Sequence, residues 1–250
     1  MQHYFVPANQ WTTNEVFITG DDFHHICRVM RMQQGDQIIC NRPDGRSATC
    51  KISNITESQV VTSIVNWIET NVEMPIKVAI AQAFPKGDKL DLILQKGTEL
   101  GAVDFLLFQG ARSIVKLDTK KADKKLLRYR KIVKEAAEQS HRSCLPTVIM
   151  LTRFSELLEQ ASKFDHKLVA YEETTRSEKS DKLYEAYKKI RTGESVFICI
   201  GPEGGFTDEE IATLKQNDFT CIRLGPRILR TETAGLYTLA TLSYHFEEME

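Results

Sequence analysis

Two glycine-rich segments late in the chain hold the residues best suited to chemistry: GPEGGF at 201–206 and LGPRILRTETAG at 224–235. In the first, Gly201, Pro202, Gly204 and Gly205 surround Glu203. Glycines there admit unusual dihedrals and let backbone N–H and C=O groups approach a ligand closely. An ordinary tight strand-to-helix turn accounts for the same residues more plainly. In the second segment Leu224 and Gly225 precede Ile228 and Leu229, and apolar residues in a loop need a surface to cover; a ligand ring is one candidate. Arg230 supplies a fixed cation, Thr231 a hydroxyl, and Glu203 and Glu232 are carboxylates able to accept a proton. Equally, Glu203 could serve only to fix loop hydrogen bonds and Glu232 only to cap a helix.

Other chemistries lack their signatures. The chain has no GxxxxGK[ST] phosphate loop and no GxGxxG after an early strand. His24, His25 and Cys27 lie close together, but no second pair at ligand spacing completes a metal site. Six cysteines (27, 40, 50, 144, 199, 221) occur without a CxxC pair, several inside apolar strand patterns, which suits buried thiols better than a disulfide framework. Cys144, in HRSCLP, is the one beside cationic residues, the setting a nucleophilic thiol needs.

The elements that must carry these loops are legible. Val196–Ile200 is a continuous apolar run, as in a strand covered on both faces. Thr207 and Glu210 form a capping box that starts a helix over 207–216. Both loops leave successive strands of one parallel sheet, so both open on its carboxyl edge, where α/β sheets bind ligands. From residue 76 strands and helices alternate: IKVAIAQAF, a helix from Asp88 to about Leu100, VDFLLF, a basic helix over 121–140, TVIML, a helix from Ser155, HKLVAYE, a helix near 178–190, SVFICI, TCIRLG and a C-terminal helix of about 233–247. That order predicts a mostly parallel sheet covered on both faces. Residues 1–72 are β-rich instead, with strands expected near 37–41, 46–55 and 59–68, a turn at Asp44-Gly45 and one helix over about 20–32. The expected division is therefore 1–72 and 73–250.

A hydrophobic fraction of 42% with 27% charged residues is that of a water-soluble globular protein. The opening MQHYFVPANQW has no basic stretch followed by an apolar one, and no run approaches a membrane span, so a cytoplasmic location is expected. The net charge of −1 argues against a uniformly basic nucleic-acid binder, yet residues 120–134 hold eight Lys or Arg against one Asp. A solvated helix face and a ridge that tracks phosphates both fit that pattern.

GPEGGFTDEE, LGPRILRTETA, LILQKGTELG (92–101) and KEAAEQSHR (134–142) resemble the RsmE family of 16S ribosomal RNA (uridine-N3) methyltransferases, within the SPOUT superfamily. HHICRVMRMQQGD (24–36) is similar to that family's N-terminal segment, so the likeness runs over nearly the whole chain. It implies an N-terminal PUA-like β-barrel that binds RNA and a C-terminal α/β domain with a deep trefoil knot. It also implies S-adenosylmethionine held by Gly201, Pro202, Glu203, Gly204, Gly205, Leu224, Gly225, Ile228, Leu229, Arg230 and Thr231, with Ile228 and Leu229 about the adenine. Thr231 or Thr233 would cap the helix that completes the knot. The implied substrate is a specific uridine, uridine 1498, of 16S RNA, presented by the 30S subunit, and the implied assembly is a homodimer. For catalysis Arg230, Glu232 and Arg142 are the candidates: Arg230 for charge on the uracil carbonyls, Glu203 or Glu232 as base, Arg142 for the uridine or a phosphate. Arg28, Arg31, Lys124, Arg128 and Lys131 are the expected RNA contacts. A ribose 2′-O-methyltransferase of the same superfamily and a non-catalytic RNA-binding protein are the alternatives.

Overall fold

The computed structural model describes residues 1–70, 72–114, 119–171 and 181–249. The chain folds as two units, the first made of residues 1–73 with 134–145 and the second of residues 74–133 with 146–250.

In the first unit β1 (His3–Phe5), β2 (Glu15–Thr19), β3 (Gln37–Asn41), β4 (Ser47–Ile55) and β5 (Gln59–Ile68) form one sheet in the order β1-β3-β4-β5-β2. β1 runs parallel to β3 and the other pairs are antiparallel. The turn at 42–46 joins β3 to β4, with Gly45 at φ 86°. Register shifts in β4 at Thr49/Cys50 and Ile52/Asn54 bend the strand. The sheet curls into a half-barrel with β1 and β2 at its two edges, in keeping with the PUA-like barrel expected. Its core gathers Tyr4, Val16, Ile18, Ile26, Ile38, Ile52 and Val60. The helix expected over 20–32 is only α1 (Gly20–His24) followed by a wide turn at His25–Val29.

The second unit is built on a seven-stranded, wholly parallel sheet. Its strands are β6 (Lys77–Ala83), β7 (Asp104–Phe108), β8 (Thr147–Met150), β9 (His166–Ala170), β10 (Asp181–Lys182), β11 (Ser195–Ile200) and β12 (Thr220–Arg223), in the order β10-β12-β9-β11-β6-β7-β8. Alternation along each strand sorts side chains to two cores. Val78, Ile80, Phe105, Leu107, Val196 and Ile198 face one, covered by α2 (Lys89–Glu99), α3 (Thr119–Gln139), α5 (Leu183–Tyr187) and α7 (Thr231–Ser243). Ala79, Ala81, Leu106, Phe108, Phe197 and Cys199 face the other, under α4 (Phe154–Ala161) and α6 (Asp208–Gln216). The helix expected near 178–190 is the five-residue α5 preceded by β10; residues 178–180 lie outside the described residues. The C-terminal helix starts two residues early, at Thr231, and gives way after Ser243 to a wider turn.

Candidate active site

Three strand exits meet at the carboxyl edge of the second unit. Ala170 and Tyr171 at the end of β9, residues 200–206 at the end of β11, and Leu224 with residues 227–230 after β12 line one cleft of about 520 Å³, within the range of small-molecule sites. Gly201, Pro202, Glu203, Gly204, Gly205, Leu224, Ile228, Leu229, Arg230 and Thr231 all line it. Gly225 turns the chain at φ 81° without lining the cleft.

The first loop is a tight turn in which the Gly205 N–H donates to the Pro202 carbonyl (2.9 Å). It is clasped from behind by residues 110–112. The Arg112 guanidinium donates to the Gly204 carbonyl (3.2 Å), and a Cβ on Gly204 would stand 3.0 Å from the Arg112 Cβ. Glu210, which completes the expected capping box with Thr207, also accepts from the Ala111 N–H (2.8 Å). One glutamate therefore starts α6 and anchors the clasp.

The second loop leads straight into α7, whose N-cap residue is Arg230, not Thr231 or Thr233. The Arg230 carbonyl accepts from the Thr233 and Ala234 N–H groups (2.8 and 2.9 Å). Thr231 is buried and does different work. Its hydroxyl donates to the Gly201 carbonyl (2.6 Å) and accepts from the Gln82 amide (2.9 Å), pinning the two loops and β6 to each other. Ile228 is 61% exposed although apolar, so the loop presents it without a protein surface to cover.

The acidic candidates differ in commitment. Glu203 Oε1 accepts from the Lys86 backbone N–H and from Lys89 Nζ, both at 3.0 Å. Burial pushes its carboxyl up, but the Lys86 and Lys89 donors outweigh that and hold it below the usual range, which makes Glu203 a poor proton acceptor. Glu232 is outside the lining set and reaches the cleft through Lys89, with Oε2 at 3.1 Å from Nζ.

Arg142 lies in the first unit. It is 3% exposed, its guanidinium bonded to Glu73 at 2.5 Å, while Asn41 donates to its carbonyl (3.0 Å). Glu73 also accepts from the backbone N–H groups of Ser143 and Cys144 (2.9 and 3.0 Å). Arg28 and Arg31 belong to the same unit, Arg31 exposed and at φ 53°. Lys124, Arg128 and Lys131 are exposed at helical spacing on one face of α3, and Arg128 is paired with Asp91.

Lys89, Arg112 and Arg227 line the cleft and were missed by sequence reasoning. Lys89 follows β6 and Arg112 follows β7, at the same carboxyl edge, so the strand-exit rule that selected the late loops applies to these two as well. The cleft thus offers a backbone cradle, an exposed apolar residue and several cations, a set fit for an uncharged heterocycle and for charge developing beside it. No helix among the described residues is long and apolar enough to cross a membrane, and none of their His, Cys, Asp and Glu side chains cluster in threes to hold a metal ion.

Comparison with known proteins places this architecture. The RNA methyltransferase domain family matches residues 72–243, and the RNA methyltransferase PUA domain family matches residues 18–65. Ribosomal RNA small subunit methyltransferase E of Bacillus subtilis is 47% identical over 250 residues, spanning 99% of this chain and 98% of its own. Its counterpart in Mycobacterium bovis is 30% identical across 96% of this chain and 90% of its own. Among solved structures, the ribosomal RNA small subunit methyltransferase E of Neisseria gonorrhoeae bound to S-adenosyl methionine superposes with a TM-score of 0.84, at 28% identity and 98% coverage of both chains.

Proposed function

The chain belongs to the ribosomal RNA small subunit methyltransferase E family, and from that premise we propose that it methylates N3 of uridine 1498 in 16S RNA, using S-adenosylmethionine. The observation that carries this reading is the glycine-cradled cleft at the carboxyl edge, with an unpartnered apolar residue and cations around it. Backbone groups of 201–205 and 224–231 would read the adenine edge and ribose, and Ile228 and Leu229 would cover the ring. When bound, S-adenosylmethionine supplies a methyl group on a positively charged sulfur, which keeps the S–C electron pair on transfer.

The protein's task is to make uridine N3 nucleophilic, because N3 is weak while protonated. Glu232 is our assignment for the proton acceptor: its Oε2 is buried, lies 3.1 Å from Lys89 Nζ as an ion pair, and has no hydrogen-bond partner among the described residues. Arg230, exposed at the mouth, stabilises charge on the uracil carbonyls. Arg142 is better read as a staple of the first unit than as a catalyst, since Glu73 already occupies its guanidinium.

Residues 1–72 are assigned to RNA capture and 73–250 to chemistry. Arg28, Arg31, Lys124, Arg128 and Lys131 are assigned to phosphates of the 30S subunit, and the target base flips out because N3 lies on its pairing edge. A deep trefoil knot belongs to the same reading; it is supported by β11 lying between β9 and β6 and by the Thr231 bonds that tie both late loops together. A homodimer in the cytoplasm completes it, supported by Leu92 on α2 and Tyr237 on α7, which stay exposed.

The test is methyl transfer from labelled S-adenosylmethionine to undermethylated 30S subunits, followed by reverse transcription. Incorporation with one new stop near the 3′ end of 16S RNA is the expected result, since methyl on N3 blocks pairing. Label without a stop would shift the reaction to ribose or another base atom. No incorporation alongside intact cofactor binding would leave the fold standing and overturn the substrate; loss of cofactor binding as well would point to a non-catalytic RNA-binding protein.

A further inference from the structure

Lys89 stands in the first turn of α2, and its ammonium has three N–H donors. One donates to Glu203 Oε1 at 3.0 Å, and Nζ is also ion-paired with Glu232 Oε2 at 3.1 Å. These acceptors belong to different elements, the loop after β11 and the first turn of α7, so Nζ is fixed where three segments of the second unit meet. At least one N–H has no acceptor among the described residues, and Lys89 lines the cleft. The carboxylates of Glu203 first, then Glu232, raise its pKa, so the group stays charged at every pH of interest.

We propose that Lys89 is a catalytic residue of the methyl transfer, its remaining N–H donating to a uracil carbonyl oxygen as N3 gives up its proton. This rests on the uridine-N3 reading above. In that step the N3–H bond breaks, the proton passes to the Glu232 carboxylate, and the electron pair stays on the ring, shared between N3 and its two flanking carbonyl oxygens. A donor fixed at one of those oxygens binds the anion better than the neutral ring, which lowers the barrier rather than merely tightening binding. Arg230 lies on an exposed loop, whereas Lys89 is held by a helix and two carboxylates; it is the donor that needs no reorganisation.

The experiment compares wild type, Lys89→Met and Lys89→Arg for kcat against pH, with cofactor affinity measured by calorimetry and the product identified by nucleoside mass spectrometry. Lys89→Met should lose about 10²–10³-fold in kcat, as on removing one oxyanion donor, with cofactor affinity little changed. Its rate should recover as alkali removes the N3 proton unaided, so its rising limb moves to higher pH, and Lys89→Arg should restore part of both. Equal losses in cofactor affinity and kcat would make Lys89 a cofactor anchor and overturn the proposal. So would an unshifted pH profile, which a purely structural role predicts. If Lys89→Met does not fold, Lys89→Gln, which keeps two donors and drops the charge, carries the same comparison. Wild type that forms no N3-methyluridine sinks the reading of the reaction itself; wild type that forms it beside an unimpaired Lys89→Met sinks only the role of Lys89.

Discussion

Gly204 is the position where one added carbon matters most to the cleft. Its absent Cβ leaves room for Arg112, whose Cβ and carbonyl would lie 3.0 and 3.4 Å away. Gly204→Val should displace the loop and lower S-adenosylmethionine affinity at least about tenfold, equivalent to about 1.4 kcal/mol, as read by calorimetry. Unchanged affinity would mean that the cofactor lies elsewhere. Thr231 makes a different prediction, of stability. Thr231→Val keeps the shape but leaves the Gly201 carbonyl without its donor, and Gln82 retains only its bond to the Ala83 carbonyl. A loss on the order of 1–3 kcal/mol is expected in urea denaturation. The type of each late-loop residue was legible in sequence, but the partner was not: nothing in GARS announces that Arg112 backs Gly204, nearly a hundred residues on.

At the scale of elements, α2 shows how packing overrules propensity. Gly97 sits inside that helix, where alanine would gain about 1 kcal/mol. Yet a Cβ there would meet the fully buried ring of Phe105 at 2.8 Å, and overpacking costs about 1–3 kcal/mol. Gly97→Ala should therefore lower the melting temperature; a rise would show that Phe105 can yield. The capping box of α6 was readable directly from Thr207 and Glu210 because it is a local pattern, and it is present in full. β1 and β2 escaped sequence reasoning. Three residues are too short for a period, and β1 pairs with β3 more than thirty residues later, a pairing no local window contains. The cap of α7 was misplaced for a related reason: Thr231 is drawn off by Gly201 and Gln82, leaving Arg230 at the boundary.

The whole molecule sets the pH profile. Burial, partly offset by Lys134, pushes the Glu138 carboxyl up to about 7 from its ordinary 4.5. The folded state then holds a proton the unfolded chain gives up, so this stabilisation is full below about pH 4.5 and is lost as pH rises to about 7. His3 acts oppositely: burial, then the charge of His141 stacked 4.2 Å away, lowers it to about 4 from 6.5. Its contribution is present above about pH 6.5 and is lost as pH falls to about 4. Glu138→Gln removes one of the two opposed groups. The variant's melting temperature, relative to wild type, should climb between about pH 4.5 and 7; a difference independent of pH would show that Glu138 does not titrate there. Light scattering on the intact protein should give a dimer, and a monomer would count against the proposed assembly.

The alternation of strands and helices, the switch from a β-rich first part to a parallel α/β second part, and the two loops that line the cleft are all written locally along the chain. These follow from periodicity, turn residues and caps, which act over a few residues. Long-range packing is what joins residues 134–145 to the first unit, spends Arg142 on Glu73, and stands Lys89 between Glu203 and Glu232. Each depends on groups far apart in the chain, brought together by burial and by the need of charged groups for partners, and no local pattern encodes such meetings.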